Sequence, residues 1–231
     1  RCGVAATEAA LFHSQAGAFH MTGGTATHDA IVWGGDPGEQ SRRKAIGDPK
    51  LKISATSELG NVTPWLVVPG PWKDAELKHY AKHLAAAFAD NVSCNCLAPK
   101  VIILAKDWAH SDTFIAYFKE EMAVYPLPSP YYPGTHARYE RFRSHYPDAA
   151  QLCRAEDVGQ PSAFGKLLPW LVNELEVEVG VKTGDKYAGE HCFAEEPFAP
   201  AITLVKASFE EGSGGVNELS TAFLELVPEF C

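Results

Sequence analysis

At 231 residues, with 46% hydrophobic and 21% charged side chains, the chain has the composition of an ordinary globular protein, with apolar area for one large domain or two modest ones. Acidic residues outnumber basic ones 29 to 20, a formal charge of −9, and the only tight basic cluster is Arg42, Arg43 and Lys44; that balance argues against nucleic acid or an anionic membrane surface as partner. No apolar run approaches the roughly 18 residues of a membrane span, and no secretory leader is visible. Six cysteines in so large and apolar a chain are not needed as a disulfide framework, so free thiols in a reducing, cytoplasmic setting are expected. The chain opens at Arg1 in a helical pattern and closes at Cys231 beside another, so a piece of a longer protein is expected.

Residues 3–14 read as a helix, residues 18–24 as a strand entering a Gly-Gly turn, and residues 25–35 as a second short helix. From Asp36 to about Pro49 a polar loop is predicted, with Arg42–Lys44 as solvated surface, and then a strand over 50–60. A short strand bounded by prolines follows at 64–70. Beyond Pro71, Leu77, Ala81, Leu84 and Phe88 recur on one helical face. Residues 100–106 form a continuous apolar run with β-branched side chains, the pattern of a strand buried on both faces. Ser111 is placed to N-cap the next helix, where Phe114, Phe118 and Met122 share a face. The proline-rich stretch 125–134 is a loop, and a helix aligning Tyr139, Phe142 and Tyr146 follows. Strict alternation over 175–182 predicts a half-exposed strand, 200–209 another strand, and 216–227 a last helix with Val216, Leu219, Phe223 and Leu226 on one stripe. Strand–helix alternation of this kind predicts an α/β fold, three layers with a mostly parallel sheet. The compositional break near 60–64 is the candidate domain boundary.

Four short stretches carry chemistry-bearing residues. Cys94-Asn95-Cys96 has one residue between its thiols, closer than the usual zinc spacing or a thioredoxin-type pair, so a metal site completed by His191-Cys192 is the weaker reading. Two buried structural thiols, or one reactive thiol on a polar loop, remain. Glu58 stands at a strand end, where open α/β sheets bind ligands, yet alone it reads as a surface residue. Gly23-Gly24 before a helix start could present N–H groups to a phosphate. Glu195-Glu196 followed by Pro-Phe-Ala-Pro reads, alone, as a strand entry.

Taken in order, these stretches resemble the motifs of the aldehyde dehydrogenase superfamily. "MTGGTATH" (21–28) is similar to its Thr-Gly-Ser-Thr turn, and "ELGNVTP" (58–64) to Glu-Leu-Gly-Gly-x-x-Pro. "NVSCNCLAPK" (91–100) is similar to Asn-x-Gly-Gln-x-Cys-x-Ala-Pro-x, and "EPFAP" (196–200) to Glu-x-Phe-Gly-Pro. The resemblance spans nearly the whole chain. It implies a C-terminal part of an NAD(P)-binding Rossmann-like domain over 1–60 and the catalytic domain over 61–231. Asn91 and Ala98-Pro99 then place the nucleophile at Cys96, and Cys94 stands where the family has Gln. Glu58 matches the general base that activates water for thioester hydrolysis. Gly23, Gly24 and Leu59 would lie near the cofactor, Glu196 would hold the nicotinamide ribose, and Phe198 would pack by the ring. Backbone N–H groups at Cys96 would serve the oxyanion.

The implied reaction oxidises an aldehyde to a carboxylic acid with NAD or NADP, through a thiohemiacetal and a thioester on Cys96. A dimer or tetramer of the full-length protein is expected, with no metal. Family members are about twice this length, so the chain alone is expected to bind cofactor poorly and turn over little. Departures from the family pattern are Gly24 for Ser, His28 for Gly, Asn61 for Gly, Ser93-Cys94 for Gly-Gln, and Ala199 for Gly. They keep two other readings open: a non-catalytic member of the fold, and a cysteine hydrolase pairing Cys96 with one of nine histidines.

Overall fold

The structure is a computed structural model that describes residues 4–179, 187 and 189–209. The expected helix at 216–227, the strand end beyond 179, Cys2 and Cys231 lie outside the described residues. The chain divides into two compact units, residues 1–60 and residues 61 onward.

In unit 1, helix α1 (Val4–Leu11) precedes strand β1 (Ala18–Gly23), helices α2 (Thr25–Val32) and α3 (Pro37–Ile46), and strand β2 (Ser54–Leu59). β1 and β2 pair in parallel, Ala18 opposite Ser54 through Gly23 opposite Leu59. Helix α3 replaces the predicted polar loop. It has no buried residue, so it left no apolar periodicity to read. Its ends explain it instead. Asp36 accepts the Glu39 N–H at 2.8 Å, Pro37 sits in the first turn, and Gly47 closes the helix at φ +64°. The basic cluster lies on this helix, and two of its three members are paired, Arg43 with Glu39 and Asp48, and Lys44 with Asp29.

Unit 2 is built on a five-stranded sheet. Strand β3 (Pro64–Val67) lies at one edge, beside β4 (Val101–Ala105). Next come β9 (Ala201–Phe209), β8 (Trp170–Val179) and β5 (Ala150–Leu152). All pairings are parallel except β5 with β8. A small hairpin, β6 (Pro161–Ser162) with β7 (Gly165–Lys166), stands apart. β4 is buried at every position, as its unbroken apolar run demands.

Helix α4 (Asp74–Ala89) buries Leu77, Ala81, Leu84 and Phe88, and α5 (Ser111–Val124) buries Phe114, Phe118 and Met122. Both cover one face of the sheet, where Phe88 meets Trp170 with ring centroids 5.4 Å apart. Trp170 and Val172 join that cluster, but Leu171 between them packs with Tyr139 and Phe142 of helix α6 (Thr135–His145). Alternate residues of a strand face opposite ways, so α6 covers the other face and three layers result. Ser111 is the first residue of α5 rather than its cap: His110 takes that place, and the Ser111 hydroxyl donates to the Ala105 carbonyl at 2.5 Å. A four-residue helix, α7 (His191–Ala194), completes the unit. No helix among the described residues is long and apolar enough to cross a membrane.

Candidate active site

Two clusters hold the residues singled out by sequence, one in each unit. In unit 1 the register of the parallel pair sets Thr22 opposite Glu58 and Gly23 opposite Leu59, at the carboxyl ends of both strands. Gly24 then N-caps α2 in an extended conformation, with no side-chain cap, and an added Cβ there would meet nothing within 4 Å. Glu58 is exposed and Leu59 half-buried. In the same unit, a cavity of about 460 Å³ is lined by residues of α1, α2 and adjoining loops, Thr7, Leu11, Phe12, Thr27, Ile31 and Lys50 among them. Sequence reading missed this cavity, because its lining comes from faces of two helices whose periodicity is weak.

In unit 2 the site lies at the opposite ends of the strands. Thr63 precedes β3, residues 94–100 precede β4, and Glu196–Pro200 precede β9. Parallel pairing draws the three strand starts together. Lys100 N–H donates to the Thr63 carbonyl (2.9 Å), and Thr203 N–H to the Lys100 carbonyl (3.0 Å). The Thr63 hydroxyl donates to the Cys96 carbonyl at 2.5 Å and touches the Asn61 amide oxygen at the same distance. Asn61 N–H in turn donates to Glu196 Oε2 at 3.3 Å. Cys96 and Glu196, which lie 100 residues apart in the chain, thus share one short run of hydrogen bonds.

The loop that carries Cys96 is strained. Asn91, Val92 and Ser93 all adopt the left-handed region, at φ 52°, 58° and 56°. That conformation costs an L-residue roughly 1–2 kcal/mol, and β-branched Val92 is least suited to it. The turn persists because its surroundings hold it. Cys94 N–H closes it on the Asn91 carbonyl (2.9 Å), and the Val92 side chain is buried. Downstream, Asn95 Oδ1 accepts the N–H groups of Leu97 and Ala98, which fixes Cys96 from the other side.

The two neighbouring thiols are unlike. Cys94 is buried, and its Sγ donates to the Phe198 carbonyl at 3.3 Å and lies 3.5 Å from the Thr135 hydroxyl. Burial pushes its pKa up, opposed by the Thr135 hydrogen bond and by Arg138 and Lys100. Such a thiol anchors rather than reacts. Cys96 is half-buried and forms no disulfide with it. Leu97 beside Cys96 is 78% exposed, an apolar surface next to the thiol. Phe198 is held at φ 40°. Its carbonyl also accepts from Arg138 Nε (3.2 Å), and its ring packs on Tyr132 at 4.9 Å.

Lys100, Thr63, Thr135 and Arg138 contact the candidate residues, and the sequence did not reveal them. Lys100 opens the apolar run at 100–106, and only 2% of it is exposed. Its ammonium donates to the Ser93 carbonyl at 2.5 Å and to the Ser93 hydroxyl at 2.7 Å. Burial brings its pKa down from 10.5 to about 8, and attraction to Glu196, Cys94 and Cys96 opposes the fall. Glu196 is shifted the other way: burial raises its pKa, against Lys100, the Asn61 N–H and Arg138. Its Oε1 is buried without a hydrogen-bond partner. No group of three or more His, Cys, Asp or Glu side chains that could hold a metal is found among the described residues.

No family model matches the chain, and no curated protein matches its sequence. Solved structures do match. An NAD-dependent aldehyde dehydrogenase from Burkholderia multivorans covers 96% of this chain at a TM-score of 0.59 and 14% identity. The aldehyde dehydrogenase KauB from Pseudomonas aeruginosa covers 93% at 0.57 and 14%. An NADP-dependent glyceraldehyde-3-phosphate dehydrogenase from Bacillus halodurans, complexed with NADP, covers 92% at 0.55 and 19%. The chain spans 39% to 41% of the length of these proteins. Likeness at such low identity speaks for architecture, and the architecture of this chain is that of the aldehyde dehydrogenases.

Proposed function

We propose that the protein is an NAD(P)-dependent aldehyde dehydrogenase in which Cys96 is the nucleophile. One observation carries the reading. Thr63, Cys96, Glu196 and Phe198, from three distant motif stretches, meet at the starts of β3, β4 and β9 in a chain with the aldehyde dehydrogenase fold. A half-buried thiol on a fixed loop, with an apolar surface beside it, supports the reading of Cys96 as the group that adds to an aldehyde carbonyl.

The residues present fit a dinucleotide. Gly24 opens α2 without a side-chain cap, and the space beside it is clear, as a phosphate at a helix start requires. The cavity lined by Leu11, Phe12 and Ile31 has the apolar character and volume for a nucleoside base. Glu196 Oε1, buried and unpartnered, lacks the hydroxyl donor that a ribose would bring. Gly23, Gly24 and Leu59 would line the cofactor's path in unit 1, and Glu196 and Phe198 would hold the nicotinamide end in unit 2. When bound, the nicotinamide supplies the acceptor for the hydride lost by the substrate.

The chain's own residues do the rest. The Cys96 thiolate attacks the carbonyl carbon and forms a thiohemiacetal, whose oxyanion is received by backbone N–H groups at Cys96. Loss of hydride leaves a thioester on Cys96. Glu58 takes a proton from water, the resulting hydroxide adds to the thioester, and carboxylic acid and the Cys96 thiolate are released. The test is turnover of a panel of aldehydes with NAD or NADP by the full-length protein, read from reduced nicotinamide. Cys96→Ser should remove the signal while leaving the circular dichroism spectrum unchanged. Equal inertness of wild type and variant on every aldehyde would favour a non-catalytic member of the fold.

A further inference from the structure

We infer that Lys100 is a positioning residue that locks the Cys96 loop, its buried ammonium holding Ser93 in the left-handed conformation that a glycine would adopt freely. The inference rests on the reading of Cys96 as the reacting thiol. Three observations converge on it. Ser93 ends the strained run at φ 56°, a conformation that L-residues avoid. It stands where the motif that this loop resembles carries Gly. Lys100 spends two hydrogen bonds on this one residue, on its carbonyl at 2.5 Å and its hydroxyl at 2.7 Å.

Beyond its longer-range attraction to Glu196, Cys94 and Cys96, the ammonium spends its hydrogen bonds on Ser93. It is 2% exposed and makes no ion pair within 4.0 Å among the described residues, so its burial is costly. A cation kept in such a place at a cost must hold something in return, and its two short hydrogen bonds show what. The Lys100 backbone meanwhile ties Thr63 to Thr203, so the side chain is carried by the two strands that flank the site. One residue thereby couples the loop's strained start to the sheet beneath it. Ser93 precedes Cys94, which plugs into the Phe198 carbonyl, and Cys94 fixes where Cys96 emerges. If the hold on Ser93 is lost, the turn should relax toward the right-handed region and Cys94 should lose its burial.

The readout is therefore the ratio of iodoacetamide labelling at Cys96 to that at Cys94, measured by peptide mass spectrometry near neutral pH. In the wild type the half-buried Cys96 should label far ahead of the buried Cys94. Lys100→Met, which keeps the length and removes the charge, should lower that ratio by about tenfold, the size of one charge-assisted hydrogen bond. Adding Ser93→Gly should bring the ratio back to within about threefold of wild type, because glycine needs no hold at that φ. Ser93→Gly alone should change it by less than about threefold. A lysine that merely filled the core would not be rescued by glycine at another position. An unchanged ratio in Lys100→Met, or a double variant no better than Lys100→Met, overturns the inference. So does a Lys100→Met protein that fails to fold and is not recovered by Ser93→Gly. The labelling needs neither aldehyde nor dinucleotide, so its failure leaves the dehydrogenase reading standing, and an inert wild type on aldehydes leaves the loop result standing.

Discussion

The two units differ in how much of their packing this chain supplies. Unit 2 wraps a five-stranded sheet with helices on both faces and buries every residue of β4. Unit 1 carries a two-stranded parallel pair in which β2 is exposed at five of its six positions. Val32 and Leu51 are its only buried hydrophobic residues among those described. Parallel strands are normally covered on both faces, and residues 1–60 by themselves leave most of β2 uncovered. The site residues follow the same division. Unit 1 offers backbone and open space at strand carboxyl ends, suited to receiving a ligand. Unit 2 offers a pinned loop at strand amino ends, suited to holding a reacting atom still.

That contrast can be broken hardest at Phe88. This side chain is fully buried where α4 meets the sheet, and Phe88→Ala should cost roughly 3–5 kcal/mol. Native-state hydrogen exchange should show the loss in β4, β8 and β9, with β1 and β2 already exchanging faster in the wild type. Equal protection of β1 and β4 would erase the difference in packing.

Lys100 sharpens the contrast through pH. Its folded pKa of about 8 lies below the unfolded value of 10.5, so between those values the unfolded chain binds more protons and stability rises with pH. Relative to Lys100→Met, which has no such titration, the wild type should gain on the order of 2 kcal/mol between near pH 7 and near pH 10. Denaturant midpoints at the two pH values check it, and a difference that falls with pH would contradict the buried-cation account. The smallest effect is expected in unit 1. Asp36→Ala removes the cap of α3 and should cost about 1 kcal/mol, confined to exchange in that unit.

Where apolar periodicity coincides with burial, the elements were legible. The α4 face, the β4 run and the α5 stripe lie where spacing puts them. Helix α3 was not legible as a helix by that route, because it buries nothing and is held by a cap, a glycine and ion pairs. Asp36-Pro37 and Gly47 were the signs to read. Ser111 looked like a cap because its hydroxyl is polar at a helix start, but the hydroxyl turns back to the Ala105 carbonyl. At the candidate site, motif likeness named Cys96, Glu58, Glu196 and Phe198. The supporting residues stayed hidden for a physical reason. The roles of Lys100 and Thr63 depend on which strand starts lie side by side, and no local pattern encodes that. The left-handed turn at 91–93 was equally hidden, since none of its residues is glycine. Cys94 and Cys96, one residue apart, were told apart by motif likeness, and the structure adds that Cys94 is the buried one.

The most direct test of the central claim is capture of the acyl group on Cys96. The Glu58→Gln protein, with its proposed base removed, is incubated with an aldehyde and NAD(P), quenched in acid, and digested for peptide mass spectrometry. The account predicts an acyl mass on the peptide carrying Cys96, absent without NAD(P) and absent in Cys96→Ser. An acyl mass on Cys94, Cys153 or Cys192 instead, or none with any aldehyde that the wild type turns over, would contradict it.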